Sequence, residues 1–286
     1  MGKTAIAIHL AQKLGTSIIS ADSRQCYKEM TIGTAKPTAD ELAQVRHYFI
    51  NSHSVTDHLT TADFEKLALG YLDDIFKHSG TAVVCGGTGL YIKTLCEGID
   101  DMPDVDETIT QAVNGQYKQH GIEWLQQAMQ QEDPEFYQTG EIQNPVRLIR
   151  ALSFKRSTGE SIVRYRKGTK AQRDFNIVKI ALELPREVLY SRINQRVDIM
   201  MEQGLLEEVQ SLYPLRHLKN LQTVGYSELF DYIDGKYNLD EAIDKIKQHT
   251  RNYAKRQLTW FRKDKEFRWV DNLNNNVVDT ILRTKA

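Results

Sequence analysis

Three short stretches carry the residue types that handle phosphate and protons. Gly2-Lys3-Thr4 stands at the head of an apolar periodic stretch, and GK[ST] is the back half of the P-loop pattern G-x-x-x-x-G-K-[ST]. In such a loop the backbone N–H groups at a helix start hold phosphate oxygens, the lysine adds a point charge and the hydroxyl can ligate Mg²⁺. The tripeptide alone is a weak match; its place before a helix gives it weight. Asp22-Ser23 follows the apolar run SIIS (17–20), where an aspartate could ligate Mg²⁺ through water, act as a general base or cap the next turn. Gly86-Gly87-Thr88-Gly89 follows TAVVC (81–85) in the same way, and glycines after a strand ordinarily just make the turn.

The elements that must bring these corners together are legible as an alternation. Residues 5–14 have helical spacing with Gly15 as a stop, SIIS, HYFI (47–50) and TAVVC read as buried strands, and helical stretches fall at about 39–46 and 62–78. Strand followed by helix, repeated, predicts an α/β fold: a mostly parallel sheet with helices on both faces and ligands bound outside the carboxyl ends of its strands. All three corners then lie on one rim. After Pro103 the pattern becomes helical and polar from about 107 to 172, which predicts an inserted unit between core segments 1–106 and 173–286. FNIVKIALEL (175–184) is expected to resume the sheet, followed by helices at about 186–212, 225–234 and 238–263, a short FRWV strand (267–270) and a terminal helix.

Composition narrows the class. Hydrophobic residues at 41% and charged residues at 26% are those of an ordinary globular chain of 286 residues, and no apolar run approaches a membrane span. With no signal-peptide layout, the expected address is cytoplasmic, with no membrane partner. Cys26, Cys85 and Cys96 lack metal-type spacing and read as free thiols, and His47, His53 and His58 have no ligand pattern. The net charge of −1 conceals a division. Residues 141–173 hold nine Lys/Arg against two acids, a local +7, and residues 251–268 hold seven against two, a local +5 with Tyr253, Trp260 and Phe261 interleaved. Such stretches suit a nucleic-acid backbone, and equally a solvated helix face.

The ordered blocks GKT (2–4), ISADSRQCYKEMTIGTAKPT (19–38), GGTGLYIKTL (86–95), NPVRLIRAL (144–152), RVDIMMEQGLLEEV (196–209) and AKRQLTWFR (254–262) resemble bacterial tRNA dimethylallyltransferases over nearly the whole chain. The resemblance implies a P-loop NTPase-like core, and transfer of a dimethylallyl group from dimethylallyl diphosphate to the exocyclic amine of the adenine 3′ of a tRNA anticodon. By similarity Asp22 accepts the amine's proton or orients it. Gly2, Lys3 and Thr4 hold the diphosphate, with Mg²⁺ on Thr4. Arg196 is the preferred second diphosphate cation, and Arg192, one turn earlier, the alternative. Thr88 matches a threonine touching the reacting site, and Ser23, Arg24 and Gln25 match a segment contacting the target nucleotide. Reaching a stacked adenine implies base flipping, with basic surfaces holding the tRNA anticodon loop. Candidates are Arg147, Arg150, Lys155 and Arg156 in the insertion, and Arg251, Lys255 and Arg256 near the C-terminus. The protein is read as a monomer.

Two departures stand out. The family has a strand and the glycine-rich first half of the loop before GKT, whereas this sequence begins at Met1, so the expectation is a natural start further upstream. Thr110 lies roughly where many relatives carry a tRNA-contacting arginine. Other readings are an enzyme prenylating free adenine nucleotides, a non-catalytic RNA-binding protein, and a nucleotide kinase. The basic insertion argues against the first, and the DSRQ and AKRQLTWFR blocks against the last.

Overall fold

The computed structural model describes residues 2–274 and 276–283. Helix α1 (Lys3–Leu14) opens after Gly2 at φ +83° and closes at Gly15 at φ +60°, the left-handed region that side chains with a Cβ avoid. Strand β1 (Ile18–Ala21) is buried along its whole length, as a central parallel strand with both faces covered should be. Helix α2 (Ala39–Gln44) starts at Thr38, and α3 (Thr61–Phe76) at Thr60. In both, the threonine hydroxyl accepts from the amide three residues on, and that residue's carboxylate accepts from the threonine amide. Between them lies the two-residue strand β2 (His47–Tyr48), and after α3 come β3 (Val83–Gly86) and α4 (Gly89–Glu97). The three strands form one parallel sheet in the order β2-β1-β3, with Ala21 opposite Gly86.

The chain divides into two compact units, Met1–Cys96 with Arg173–Ala286, and Glu97–Gln172. The regular elements of the second are all helical. It consists of α5 (Glu107–Glu132), broken into two tandem pieces at Gly121, α6 (Pro134–Thr139) and α7 (Pro145–Thr158), then a 3₁₀ turn at Ile162–Tyr165. Proline at the first position of α6 and α7 gives up an amide that had no helical partner, while Asp133 and Asn144 cap the next ones. Leu125, Met129, Phe136, Leu148 and Leu152 build this unit's own core, each such side chain contributing about 1.5–3 kcal/mol by leaving water. Its two ends meet: the Ala171 amide donates to the Glu97 carbonyl at 2.7 Å, and Lys170 pairs with the Glu97 carboxylate.

The first unit resumes with β4 (Ile180–Glu183), α8 (Arg186–Glu202), α9 (Leu205–Leu212), α10 (Tyr226–Ile233), α11 (Leu239–Arg262), β5 (Arg268–Asp271) and α12 (Val277–Arg283). Two expectations need correcting. The 175–184 run does not rejoin the first sheet: only four of its residues form a strand, and β4 pairs in parallel with β5 in a separate two-stranded sheet. Phe175 instead packs against Phe76 and the main core. The single helix expected over 186–212 is interrupted by Gly204, whose φ of +97° ends one helix and starts the next. The main core gathers β1, α3, α4 and α8–α11 around Tyr27, Phe49, Phe64, Leu205 and Tyr226. No helix among the described residues is long and apolar enough to cross a membrane.

Candidate functional site

The site grows from the carboxyl ends of two neighbouring strands. Because Ala21 faces Gly86 across the ladder, the residues that follow, Asp22-Ser23 and Gly87-Thr88, leave the sheet side by side. Gly86 is needed for this approach, since a Cβ there would stand 2.2 Å from the Ala21 carbonyl oxygen. The Thr88 amide donates to that same carbonyl at 3.2 Å. The Thr88 hydroxyl oxygen accepts the Ser23 amide at 3.1 Å, with Ser23 Oγ at 3.4 Å. The two corners are thus one cross-linked structure.

Within it, Asp22 is half-buried and its two oxygens differ. Oδ1 accepts the amides of Arg24 at 2.9 Å and Gln25 at 3.3 Å, the capping role open to any aspartate in this position. Oδ2 accepts no hydrogen bond among the described residues. Cap and proton acceptor are therefore compatible, one on each oxygen. Gln25, expected at the substrate, has its side-chain amide engaged by the protein: it accepts from Ser20 Oγ and donates to the carbonyls of Thr34 and Ala35, each at 3.2 Å. Among the described residues the Arg24 guanidinium donates only to the Ser23 carbonyl.

Helix α11 covers the corner with residues that spacing alone did not single out. Gln257 donates to the Gly87 carbonyl at 2.7 Å, and a Cβ on Gly87 would meet its side chain at 2.3 Å. Trp260 lies as tightly over Gly89. Tyr253, two turns earlier than Trp260 on the same face, has its phenol pKa raised by partial burial and by the charge of Asp22. Tyr253 and Trp260 remain 42% and 43% exposed, so two aromatic faces stand open beside the cross-linked corner. The signal for them in the sequence was the aromatic interleaving of the basic C-terminal stretch.

An exposed Lys3, in the first turn of α1, borders the same cavity as Cys85, Gly86 and Gly87 at the end of β3. Burial pushes the Cys85 thiol up, with the charge of Asp22 adding to this and that of Lys3 opposing it. A cavity of about 230 Å³ is bordered by Lys3, Gly86, Gly87 and Gln257, with Val84 and Leu182 among its apolar walls. Asp22 and Thr88 are not part of its lining; they join it only through the Gly86-Gly87 backbone. The Thr4 hydroxyl is half-buried and has no hydrogen bond among the described residues. No cluster of three or more His, Cys, Asp or Glu able to hold a metal occurs among the described residues. A divalent ion here would take Thr4 together with substrate oxygens and water, a coordination typical of magnesium.

Arg196 on α8 is half-buried, and burial lowers its pKa from the ordinary guanidinium value while the Glu41 carboxylate opposes this. It makes no hydrogen bond or ion pair among the described residues, and Arg192 makes none either. Arg251 donates to Asn194 Oδ1 at 2.7 Å and is thereby tied to α8. Arg256 lies over the Tyr253 ring, and Lys255 lines two surface depressions beside α11. In the helical unit, Arg156 grips Glu132 with a two-pronged pair at 2.6 and 2.9 Å and lies over Trp124. Lys155 caps the Gly159 carbonyl, Arg147 pairs loosely with Glu141, Arg150 approaches Met102 Sδ, and the Thr110 hydroxyl bonds back to the Asp106 carbonyl.

A family model described as IPP transferase matches residues 25–264. A tRNA dimethylallyltransferase of Christiangramia forsetii is 47% identical over 98% of this chain and 94% of its own length. One from Phocaeicola vulgatus is 44% identical over 94% and 90%. Among solved structures, the full-length tRNA isopentenylpyrophosphate transferase of Bacillus halodurans superposes with a TM-score of 0.73 at 34% identity, covering 99% of this chain and 91% of that one. A eukaryotic dimethylallyltransferase acting on tRNA shares the fold with a TM-score of 0.81 at 23% identity. With a family model matching residues 25–264, Thr88 and α11 included, and relatives sharing close to half their residues end to end, the chain belongs to the IPP transferase family.

Proposed function

We propose that this chain transfers a dimethylallyl group from dimethylallyl diphosphate to the exocyclic amine of the adenine immediately 3′ of a tRNA anticodon, releasing diphosphate. The observation that carries the reading is the divided carboxylate of Asp22. One oxygen fixes the turn and the other is open, with Thr88 locking the turn to the GGTG corner. In the reaction the amine nitrogen bonds to the allylic carbon, the carbon–oxygen bond breaks, and its electron pair leaves with the diphosphate. The proton released from nitrogen passes to Asp22 Oδ2.

The diphosphate would lie against the amides opening α1, with Lys3 supplying a positive charge where leaving-group charge develops. On this reading α1 and the first parallel sheet are a P-loop-like device turned to a prenyl diphosphate. A magnesium ion bound through the Thr4 hydroxyl would neutralise part of that charge. Arg196 is the preferred further diphosphate cation because it is half-buried and unpaired, which is costly for a charge unless an anion arrives. Tyr253 and Trp260 offer stacking faces to an everted base and its neighbour, and Lys255 and Arg256 lie among them for the backbone. The helical unit, residues 97–172 as folded, would serve as a tRNA-binding element through Arg147, Arg150 and Lys155. Arg156 is committed to Glu132 and is a scaffold residue there.

The test combines purified protein, Mg²⁺, labelled dimethylallyl diphosphate and unmodified tRNA, with free AMP as the competing acceptor. Label is expected in tRNA, and Asp22→Asn, which keeps the capping oxygen, is expected to lose about 10²–10⁴-fold in kcat at near-parental stability. Labelled AMP would move the assignment to free-nucleotide prenylation, and equal incorporation by Asp22→Asn would remove the aspartate from its role.

A further inference from the structure

The Asp22–Gln25 turn is itself held by a second loop, and that loop is held by one carboxylate from a distant part of the sequence. Glu208, in the first turn and a half of α9, accepts the amides of Thr31 at 3.0 Å and Ile32 at 2.8 Å on one oxygen. The other takes the Gly33 amide at 3.1 Å and the Tyr226 hydroxyl at 2.6 Å. Three successive amides converging on a point form an anion-binding hollow, and here the protein fills it with its own side chain. The fit is close. Tyr226 is fully buried, and a Cβ on Gly33 would stand 2.5 Å from its ring. Burial and the Glu208 charge both raise the phenol's pKa, so it remains a donor.

From the hollow a short path of backbone and hydrogen bonds reaches the candidate proton acceptor. Gly33 leads directly to Thr34 and Ala35, whose carbonyls accept both protons of the Gln25 amide, and the Gln25 backbone amide donates to Asp22 Oδ1. At the far end of the loop Lys36 donates to the Tyr27 carbonyl and, at 2.6 Å, to Asn51 Oδ1. The loop is therefore tied at one side to α9 and at the other to the turn that follows β1.

We propose that Glu208 is a positioning residue for transfer to tRNA. Its carboxylate fixes the Thr31–Lys36 loop, and the loop, through Gln25, sets the orientation in which Asp22 meets the purine. The proposal rests on the reading of function above. It assigns Glu208 to the acceptor side of the reaction and leaves the α1 diphosphate side independent of it.

The test uses Glu208→Gln, which keeps the shape but replaces one acceptor oxygen by an NH₂ that cannot receive an amide. Hydrogen exchange at Thr31–Gly33 is expected to quicken at least tenfold whatever the enzyme's activity. With tRNA, kcat/KM is expected to fall about tenfold or more, while the dissociation constant for dimethylallyl diphosphate stays within about twofold of the parent's. Gln25→Ala should show the same split, and the double variant should be no worse than the poorer single one, because both act through one path. Tyr226→Phe leaves the three amide bonds and should transfer at close to the parental rate. Losses that add, a matching loss of diphosphate binding, or a Tyr226→Phe defect equal to that of Glu208→Gln would overturn the proposal. A parent that labels no tRNA overturns the reading of function, whereas an active parent with a fully active Glu208→Gln overturns only the role given to Glu208.

Discussion

The Ser23 amide donates to the Thr88 hydroxyl oxygen across 3.1 Å, joining residues 65 positions apart into one corner of the site. Valine at 88 would keep the volume and leave this half-buried amide without its acceptor; an unmet amide costs about 1–3 kcal/mol when fully buried, and partial burial sets the lower end. Thr88→Val is expected to lower stability in urea by that order and to slow transfer more than it weakens diphosphate binding, whereas Thr88→Ser should stay close to the parent. Indistinguishable Val and Ser variants would show that the bond organises nothing.

Gly86→Ala should be among the most damaging single-methyl additions in the chain. The new carbon would meet the Ala21 carbonyl at 2.2 Å, and the obstacle is backbone in a paired strand, so no side chain can swing aside. Overpacking of this kind costs about 1–3 kcal/mol or more, and any relief must open the gap between Asp22 and Thr88. Thermal unfolding together with single-turnover transfer would check it; an alanine variant with parental values in both would mean the two strands part without consequence.

Basic residues of similar sequence context should behave differently in salt. Lys255 lines surface depressions beside α11, so Lys255→Ala is expected to weaken tRNA binding and reduce the slope of log affinity against log salt by about 1. Arg156→Ala is expected to leave that slope alone and to destabilise the helical unit, because the guanidinium is held by Glu132 and lies over Trp124. Binding titrations at several salt concentrations decide it, and a slope change with Arg156→Ala in place of Lys255→Ala would reverse the assignment.

Stability should fall on acidification partly through the start of α3. The Thr60 hydroxyl and amide both donate to the Asp63 carboxylate, which holds its pKa below the usual carboxylate value. A folded-state pKa below the unfolded one contributes stability that is full above about pH 4 and is lost as pH drops through the lower, folded value. The stability gap between parent and Asp63→Asn is therefore expected to narrow from about pH 6 to about pH 3. Denaturant melts across that range provide the measurement, and a constant gap would contradict the sign.

The alternation of strands and helices, the helical character of 107–172 and the three corners after Met1, Ser20 and Cys85 could be read from periodicity and glycine placement because these are local properties. What could not be read was pairing. FNIVKIALEL has the composition of a sheet strand, yet nothing within it says that its partner is 268–271 and that Phe175 packs elsewhere. Glu208 and Gln257 lie within matched blocks, but their roles could not be read there, since each gains its meaning from backbone groups more than 160 residues away in sequence. Asp22 was ambiguous between cap and base because a single letter cannot show that its two oxygens face different surroundings. Arg156 carried the same charge signal as Lys255, and only the Glu132 fork separates them.

The Ala171–Glu97 bond has a consequence for engineering. Since the helical unit leaves and returns through a single narrow gate, cutting it out asks the remaining chain to bridge only a residue or two. A module attached in this way behaves like a plug-in, its removal leaving a short join in the scaffold that carries it.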